Sequence, residues 1–309
     1  MNKENEINII MSVNTKYIDK ACTTLYSLSR HTKMQIHLYL LNNSLTVEEV
    51  EYMNNLLNKY NILLEEVDMR EIHIFDKLTL GASHFSREMY FRIIAYQVLP
   101  NWMKRVLWLD ADIIINGNIE EYYFQDLSGI SIVVSPDSKN DSNLIRLCKK
   151  NIGLKEDECY FNSGVILFNL TYIRKNLEIN QIIQTLEQLA SKLIYPDQDI
   201  LNVIYRKSKR IIDWKIYNYQ VCGGEDVDLE ECSKAKIIHY TSEKKPWDYK
   251  YINDFSKFYW ENRILEGYEK EFDSAKQKAN IYKKFRLDVL FNQYKKVRYY
   301  WNRILKLFG

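Results

Sequence analysis

The chain has 309 residues, 46% of them hydrophobic and 27% charged, enough for one large α/β domain or two smaller ones. Its five cysteines, Cys22, Cys148, Cys159, Cys222 and Cys232, show no CxxC spacing. That pattern argues against a disulfide framework or a zinc site, and for a reducing, cytoplasmic compartment. No apolar run approaches a membrane span and the first residues are polar, so neither a signal peptide nor a transmembrane helix is expected.

The net charge of +2 hides an asymmetry. Residues 276–309 carry ten Lys or Arg and one acid, Asp288, which leaves a mildly acidic body. The body's charge and the absence of a nucleic-acid motif argue against nucleic acid as a partner.

In chain order, Ile7 to Val13 is a β-branched apolar run and reads as the first strand. Asn14-Thr15 marks a turn, and Tyr17 to Arg30 carries Ile18, Cys22, Leu25 and Leu28 at helical spacing. Gln35 to Leu41 predicts a second strand. Thr46, with Glu49 three residues on, predicts a capped helix running to about Tyr60. Ile62 to Val67 is a third strand. This β-α-β-α-β order implies a largely parallel sheet with crossover helices. No GxGxxG follows the first strand, so a dinucleotide fingerprint is absent. Ser86 to Leu99 predicts a helix carrying Arg87 and Arg92, with Arg87 read as a surface residue.

Val106 to Asn118, VLWLDADIIINGN, follows. Val106 to Leu109 reads as a strand buried on both faces. Asp110 and Asp112, two apart on extended backbone, share one side. Such a pair is either a polar strand end in a turn or a divalent-cation site, since two adjacent carboxylates repel without a positive charge between them. Strands are expected at Ile130 to Ser135, at Phe161 to Leu170 and at Ile237 to Tyr240. Helices are expected at Leu177 to Leu193 and at Tyr195 to Tyr205, where Asp197 and Asp199 suit the helix dipole. No linker or repeat appears. One domain is expected over 1–270, followed by a basic helical tail over 271–309. The tail's aromatic, basic, amphipathic character fits either an anionic membrane surface or docking on its own domain.

Four ordered segments, VLWLDADIII, FNSGVILFNL, YPDQDILN and HYTSEKKPW, together resemble family 8 glycosyltransferases. These are retaining enzymes related to bacterial lipooligosaccharide α-galactosyltransferases and, more distantly, to glycogenin. The resemblance spans about residues 7 to 250. It implies a GT-A fold, a Rossmann-like mixed sheet that binds a UDP-sugar (UDP-glucose or UDP-galactose) with Mn²⁺ or Mg²⁺. By the same resemblance Asp110, Asp112 and His239 are the metal ligands. Lys245, selected by its spacing from His239 to Pro246-Trp247, contacts the diphosphate. Ser12, Asn14, Tyr17, Ala111 and Ser242 contribute to the nucleotide side. The family more often has an acid where Asn14 stands and a glycine where Ser242 stands. Arg92, Asn162 and Ser163 line the donor sugar. Asp137 is an acceptor-side acid, and Asp197 and Gln198 flank the anomeric carbon. Asp199 either caps its helix or braces Asp197. An amide is a poor nucleophile, so Gln198 favours front-side transfer over double displacement. The acceptor is expected to be a hydroxyl of a surface glycan or glycolipid. The alternatives are a haloacid dehalogenase-type phosphohydrolase and a non-catalytic nucleotide-sugar-binding protein. The first normally carries its Asp-x-Asp near the N-terminus, and the second has no need of an intact ligand set.

Overall fold

The β-branched N-terminal run forms an interior strand of a seven-stranded sheet in the computed structural model, which describes residues 6–75, 87–222 and 228–291. The strands are β1 (Glu6–Met11), β2 (Gln35–Asn42), β3 (Ile62–Asp68), β4 (Arg105–Leu109), β5 (Ile113–Ile115), β6 (Ile132–Val134), β7 (Val165–Asn169), β8 (Lys209–Ile211), β9 (Tyr219–Gln220) and β10 (Ile237–His239). The large sheet has the order β3-β2-β1-β4-β7-β6-β8. Only β7 runs against the others, antiparallel to both β4 and β6.

The expected alternation holds at the start of the chain. Helices Ile18–Ser29 and Val47–Asn58 link β1, β2 and β3. Thr46 and Glu49 form both bonds of the capping box. Side chains alternate across β1 and β4 and feed two cores. Ile7, Ile9, Leu107 and Leu109 pack on Leu25, Leu28 and Leu57. Ile10, Trp108 and Ile166 pack on Phe91, Ile94 and Ile200 on the other face.

Two expectations change. Val106 to Leu109 is a strand, as expected, but Asp110 and Asp112 after it lie in a turn and not on extended backbone. β4 stops at Leu109, and β5 begins at Ile113 in a second sheet of order β5-β10-β9. Asp110 and Asp112 occupy the crossing between the sheets. Non-local pairing decides this, because Ile113–Ile115 zips onto Ile237–His239. Likewise Phe161 to Leu170 yields only β7, and Leu170–Asn176 turns into a helix capped by Asn169. The predicted helix at Ser86 is a 3-10 turn at Arg87–Tyr90 followed by an α-helix at Phe91–Val98. Ser86 itself lies outside the described residues. Arg87 is half-buried and donates to the Ile72 carbonyl.

The C-terminal helices Ser256–Leu265, Glu269–Lys278 and Ile281–Leu290 cover the small sheet. Phe272 and Leu287 join Ile114, Ile238, Tyr240 and Trp260 in a third core. Within the stretch expected as a tail, Lys276 pairs with buried Asp288 and Arg286 pairs with Asp254. Residues 292–309, the rest of that basic stretch, lie outside the described residues. Among the described residues no helix is long and apolar enough to cross a membrane.

A buried ionic cluster fastens these helices to the first half of the chain. Arg263 is 1% exposed. It donates to Glu271 at 2.9 and 3.0 Å and to Glu266 at 3.1 Å. Glu266 also accepts from Thr23 at 2.7 Å and from Tyr60 at 3.3 Å. Removing the cation strands a buried carboxylate. Arg263→Met is therefore expected to lower unfolding free energy by about 3–5 kcal/mol in urea titration. A loss below about 1 kcal/mol would show that the cluster is not a fastening.

Candidate active site

The crossing between β4 and β5 is held from below by one helix. Thr24 donates to the carbonyls of Ala111 and Ile113 at 3.2 and 2.7 Å, and Ser27 accepts from the Ile115 N–H at 2.8 Å. Both hydroxyls sit on Ile18–Ser29. They fix a turn that aims Asp110 and Asp112 upward, where β10 delivers His239. One ligand atom from each of the three residues falls within 4.8 Å of the others. His239 Nε2 lies 3.2 Å from Asp112 Oδ1 and 3.8 Å from Asp110 Oδ2.

The approach of His239 depends on Gly164. A Cβ there would lie 2.1 Å from His239 Cε1 and 2.9 Å from Asp110 Oδ2. Both are shorter than side-chain carbons tolerate, so the small residue of the Asn-Ser-Gly segment is a requirement of the site.

Each carboxylate has a partner. Asp110 Oδ1 accepts from Trp108 Nε1 at 2.7 Å and pairs with Arg92 at 2.9 Å. Arg92 stacks over the Trp108 ring at 4.3 Å, donates to the Ser163 carbonyl at 2.6 Å and lies 3.4 Å from Asp197. Asp112 Oδ2 accepts from Lys245 at 2.6 Å, and Lys245 also donates to the Tyr240 carbonyl at 2.6 Å. Burial alone would raise the Asp112 carboxyl; Lys245 and then His239 outweigh it and hold the group below the usual carboxylate range. Asp112 Oδ1 is buried and accepts no hydrogen bond. An orphaned buried carboxylate oxygen beside an imidazole nitrogen and a second carboxylate fits a divalent cation, and the two-oxygen, one-nitrogen set suits Mn²⁺.

Around this corner lies a cavity of about 550 Å³. It is lined by Arg92, Asp110, Asp112, Asp137, Asn162, Ser163, Asp197, Gln198, His239 and Ser242, all expected from the sequence, and by Lys244. Ser163 Oγ donates to Asp197 at 3.0 Å. Gln198 Oε1 accepts from the Ser163 N–H at 2.9 Å, and its amide nitrogen donates to Asp137 at 3.2 Å. Burial pushes the Asp197 carboxyl up to about 6; Arg92 opposes the rise and Asp110 adds to it.

The remaining expected residues sit beside the cavity. Ser12 Oγ is tied to the Leu41 carbonyl at 2.6 Å, and Asn14 caps the short turn that leads to Tyr17. Tyr17 meets Trp247 edge to face at 6.0 Å. Burial raises its hydroxyl, Lys245 opposes that, and Asp112 and Asp110 reinforce it, so the phenol stands within the field of the two aspartates. Ala111 contributes its carbonyl to the turn. Asp199 reaches back over the start of its own helix and has no hydrogen bond to Asp197. It accepts from Tyr160 at 2.6 Å and from the backbone N–H groups of Ile194 and Tyr195 at 2.7 and 3.0 Å.

The sequence reading missed Asn218, Trp108 and Gly164 as site residues. Trp108 had a legible signal, since a buried indole needs an acceptor and Asp110 lies two residues on. Asn218 had none, because it lies between a four-residue helix and a two-residue strand. A second cleft of about 640 Å³, lined by Ile72, Ile74, Ile94 and Leu186 among others, shares no residue with this cavity.

A Rossmann-like mixed sheet that delivers an Asp-x-Asp pair and a distant histidine to one corner defines the GT-A class of glycosyltransferases. Residues 8–251 match Glycosyl transferase family 8, and the chain belongs to that family. It is similar to a lipopolysaccharide 1,2-glucosyltransferase of Escherichia coli, 26% identical, with 96% of this chain and 91% of that protein covered. It is also similar to the glycosyltransferase GlyF of Streptococcus pneumoniae, 25% identical over 87% of this chain and spanning 64% of GlyF's length. Its fold matches the galactosyltransferase LgtC solved with donor and acceptor sugar analogues, with a TM-score of 0.69, 20% identity, and 82% and 96% of the two chains covered.

Asp197 makes the site a stability cost. A carboxyl raised from 3.8 to about 6 favours the folded state below its unfolded pKa and loses that contribution as pH rises through about 6. About two units correspond to about 3 kcal/mol at neutral pH. Asp197→Asn is expected to raise the melting temperature of the ligand-free protein more at pH 7.5 than at pH 5. An equal effect at both values would contradict the burial account.

Proposed function

We propose that the protein is a retaining glycosyltransferase that moves glucose or galactose from a UDP-sugar to a hydroxyl of a bacterial surface glycan or glycolipid. The observation that carries this reading is the convergence of Asp110, Asp112 and His239 with an unsatisfied Asp112 oxygen. These three residues would hold Mn²⁺ (or Mg²⁺), which when bound supplies Lewis-acid stabilisation to a departing diphosphate. The rest is done by the chain's own groups.

Lys245 would turn its ammonium from Asp112 toward the diphosphate and add positive charge where the leaving group becomes more negative. Tyr17 and Asn14, at the carboxyl end of β1, would flank the uracil, with Ser12 setting the loop and Ser242 offering its N–H to a phosphate. Arg92, Asn162, Ser163 and Asp197 would position the donor hexose. Gln198 has its oxygen engaged by Ser163 N–H and its nitrogen by Asp137. Together with the weak nucleophilicity of an amide, this supports transfer on the leaving-group face, where the acceptor hydroxyl attacks as UDP departs and a phosphate oxygen takes the proton. Asp137 would orient the acceptor.

The lipopolysaccharide glucosyltransferase of E. coli supports a surface-glycan acceptor. The family match supports a transferase over the phosphohydrolase and scaffold alternatives. Purified protein with Mn²⁺ and UDP-glucose or UDP-galactose is expected to release UDP in a sugar-dependent way. Release of inorganic phosphate, or binding without turnover, would reject the reading.

The catalytic body over 1–270 would carry this chemistry, and the basic tail would meet the inner face of an anionic membrane. Phe272 and Leu287 belong to the third core, so the membrane reading rests on 292–309, with five Lys or Arg and no acid. Removing 292–309 should leave UDP release intact and weaken binding to phosphatidylglycerol vesicles; undiminished vesicle binding would end that reading.

A further inference from the structure

Asn218 is fully buried and accepts no role from the sequence motifs. It stands where β9 begins, and β9 pairs with β10 so that Gln220 lies opposite His239. Its side chain touches two site residues at once. Asn218 Oδ1 lies 3.0 Å from His239 Nδ1, and Asn218 Nδ2 lies 3.0 Å from Asn162 Oδ1. The line continues from Asn162 Nδ2 to Gln198 Oε1 at 3.3 Å, and from Gln198 Nε2 to Asp137 Oδ2 at 3.2 Å.

The direction of every bond in this line is fixed by backbone groups that can only donate. The Gly164 N–H points at Asn162 Oδ1 at 3.0 Å, so that atom is the amide oxygen. The Ser163 N–H points at Gln198 Oε1 at 2.9 Å and fixes that amide too. The Asn218 atom facing the Asn162 oxygen must then be its nitrogen. Its oxygen is left for the imidazole, so His239 Nδ1 must carry a proton. Nε2 is then the only ring nitrogen that can present a lone pair to a cation, and Nε2 is the atom that faces Asp112 and Asp110. A chain of donors runs from His239 through three amides and ends on a carboxylate, the strongest acceptor in the line.

We infer that Asn218 is a positioning residue that fixes the Nδ1–H tautomer of His239, keeps Nε2 open as a ligand atom, and ties that choice through Asn162 and Gln198 to Asp137. The inference rests on the proposed metal site for its consequence but not for its geometry. A metal-bound histidine commonly needs its second nitrogen held in this way, and loss of such a partner costs about 10–100-fold in metal affinity.

The test uses the full chain with Mn²⁺ alone as probe. In wild-type protein, the ¹⁵N shifts of His239, assigned by comparison with His239→Gln, are expected to report a proton on Nδ1. Asn218→Ala is expected to lose that fixed protonation of Nδ1 and to weaken Mn²⁺ binding about 10–100-fold. Asn218→Asp keeps an acceptor for Nδ1–H and is expected to retain Mn²⁺ affinity within about threefold, below the loss typical of a missing outer partner. A merely structural role would not distinguish the two variants in this way. An unprotonated Nδ1 in the wild type, or Mn²⁺ affinity in folded Asn218→Ala equal to wild type, would overturn the inference. If Asn218→Ala does not fold, the wild-type tautomer and the Asn218→Asp affinity decide. Failure of the wild type to bind Mn²⁺ would sink the proposed metal site and leave the tautomer measurement to decide the role of Asn218.

Discussion

Two carboxylates forced into one half-buried corner are the constraint on which the rest of this protein depends. Asp110 and Asp112 repel each other, and burial makes the repulsion stronger than it would be in water. The fold answers with Arg92 and Trp108 on Asp110 and with Lys245 on Asp112. One Asp112 oxygen nevertheless stays unsatisfied beside His239. A structure selected only for stability would not keep such an arrangement, since apolar residues of similar size would cost less. Asp197, raised to about 6 by burial close to Asp110, is a second instance of local strain retained at the same place.

The two sheets exist in this relation because of that corner. The large sheet ends β4 at Leu109, and the small sheet starts β5 at Ile113, so the intervening aspartates belong to neither ladder. Their positions are set by tertiary bonds instead: Thr24 and Ser27 beneath, the Gly164 carbonyl accepting from the Asp110 N–H at 2.9 Å, and the Asp112 carbonyl accepting from the Tyr240 N–H at 3.0 Å. The C-terminal helices stabilise the small sheet from outside. Trp260 holds the Pro246 carbonyl at 3.0 Å and anchors the loop that carries Lys245. The buried Arg263 cluster ties those helices back to Ile18–Ser29, the helix that supports the aspartate turn. Stability and site geometry are thus carried by shared elements.

Much of this was legible from the residues. The period-2 and period-3.6 runs placed β1 to β3 and their helices within a residue or two, because those elements are built on local patterns. That Asp110, Asp112, His239 and Lys245 belong to one corner was legible because they sit in dense, ordered motifs. What was hidden depended on distant pairing. Nothing local in Phe161 to Leu170 shows that β7 runs antiparallel or that the chain coils at Leu170. That Ile113–Ile115 joins a second sheet is imposed by Ile237–His239, more than a hundred residues on. Asn218 carries no periodic or compositional signal, and its importance appears only when His239 is placed 3.0 Å away.

The central claim is that this corner binds one divalent cation together with a nucleoside diphosphate. Titration of the protein with Mn²⁺ in the presence of UDP, reading free Mn²⁺ by electron paramagnetic resonance, tests it most directly. The account predicts one bound ion per wild-type chain and its loss in folded Asp112→Ala. Equal binding by the two proteins, or none by the wild type, would contradict it.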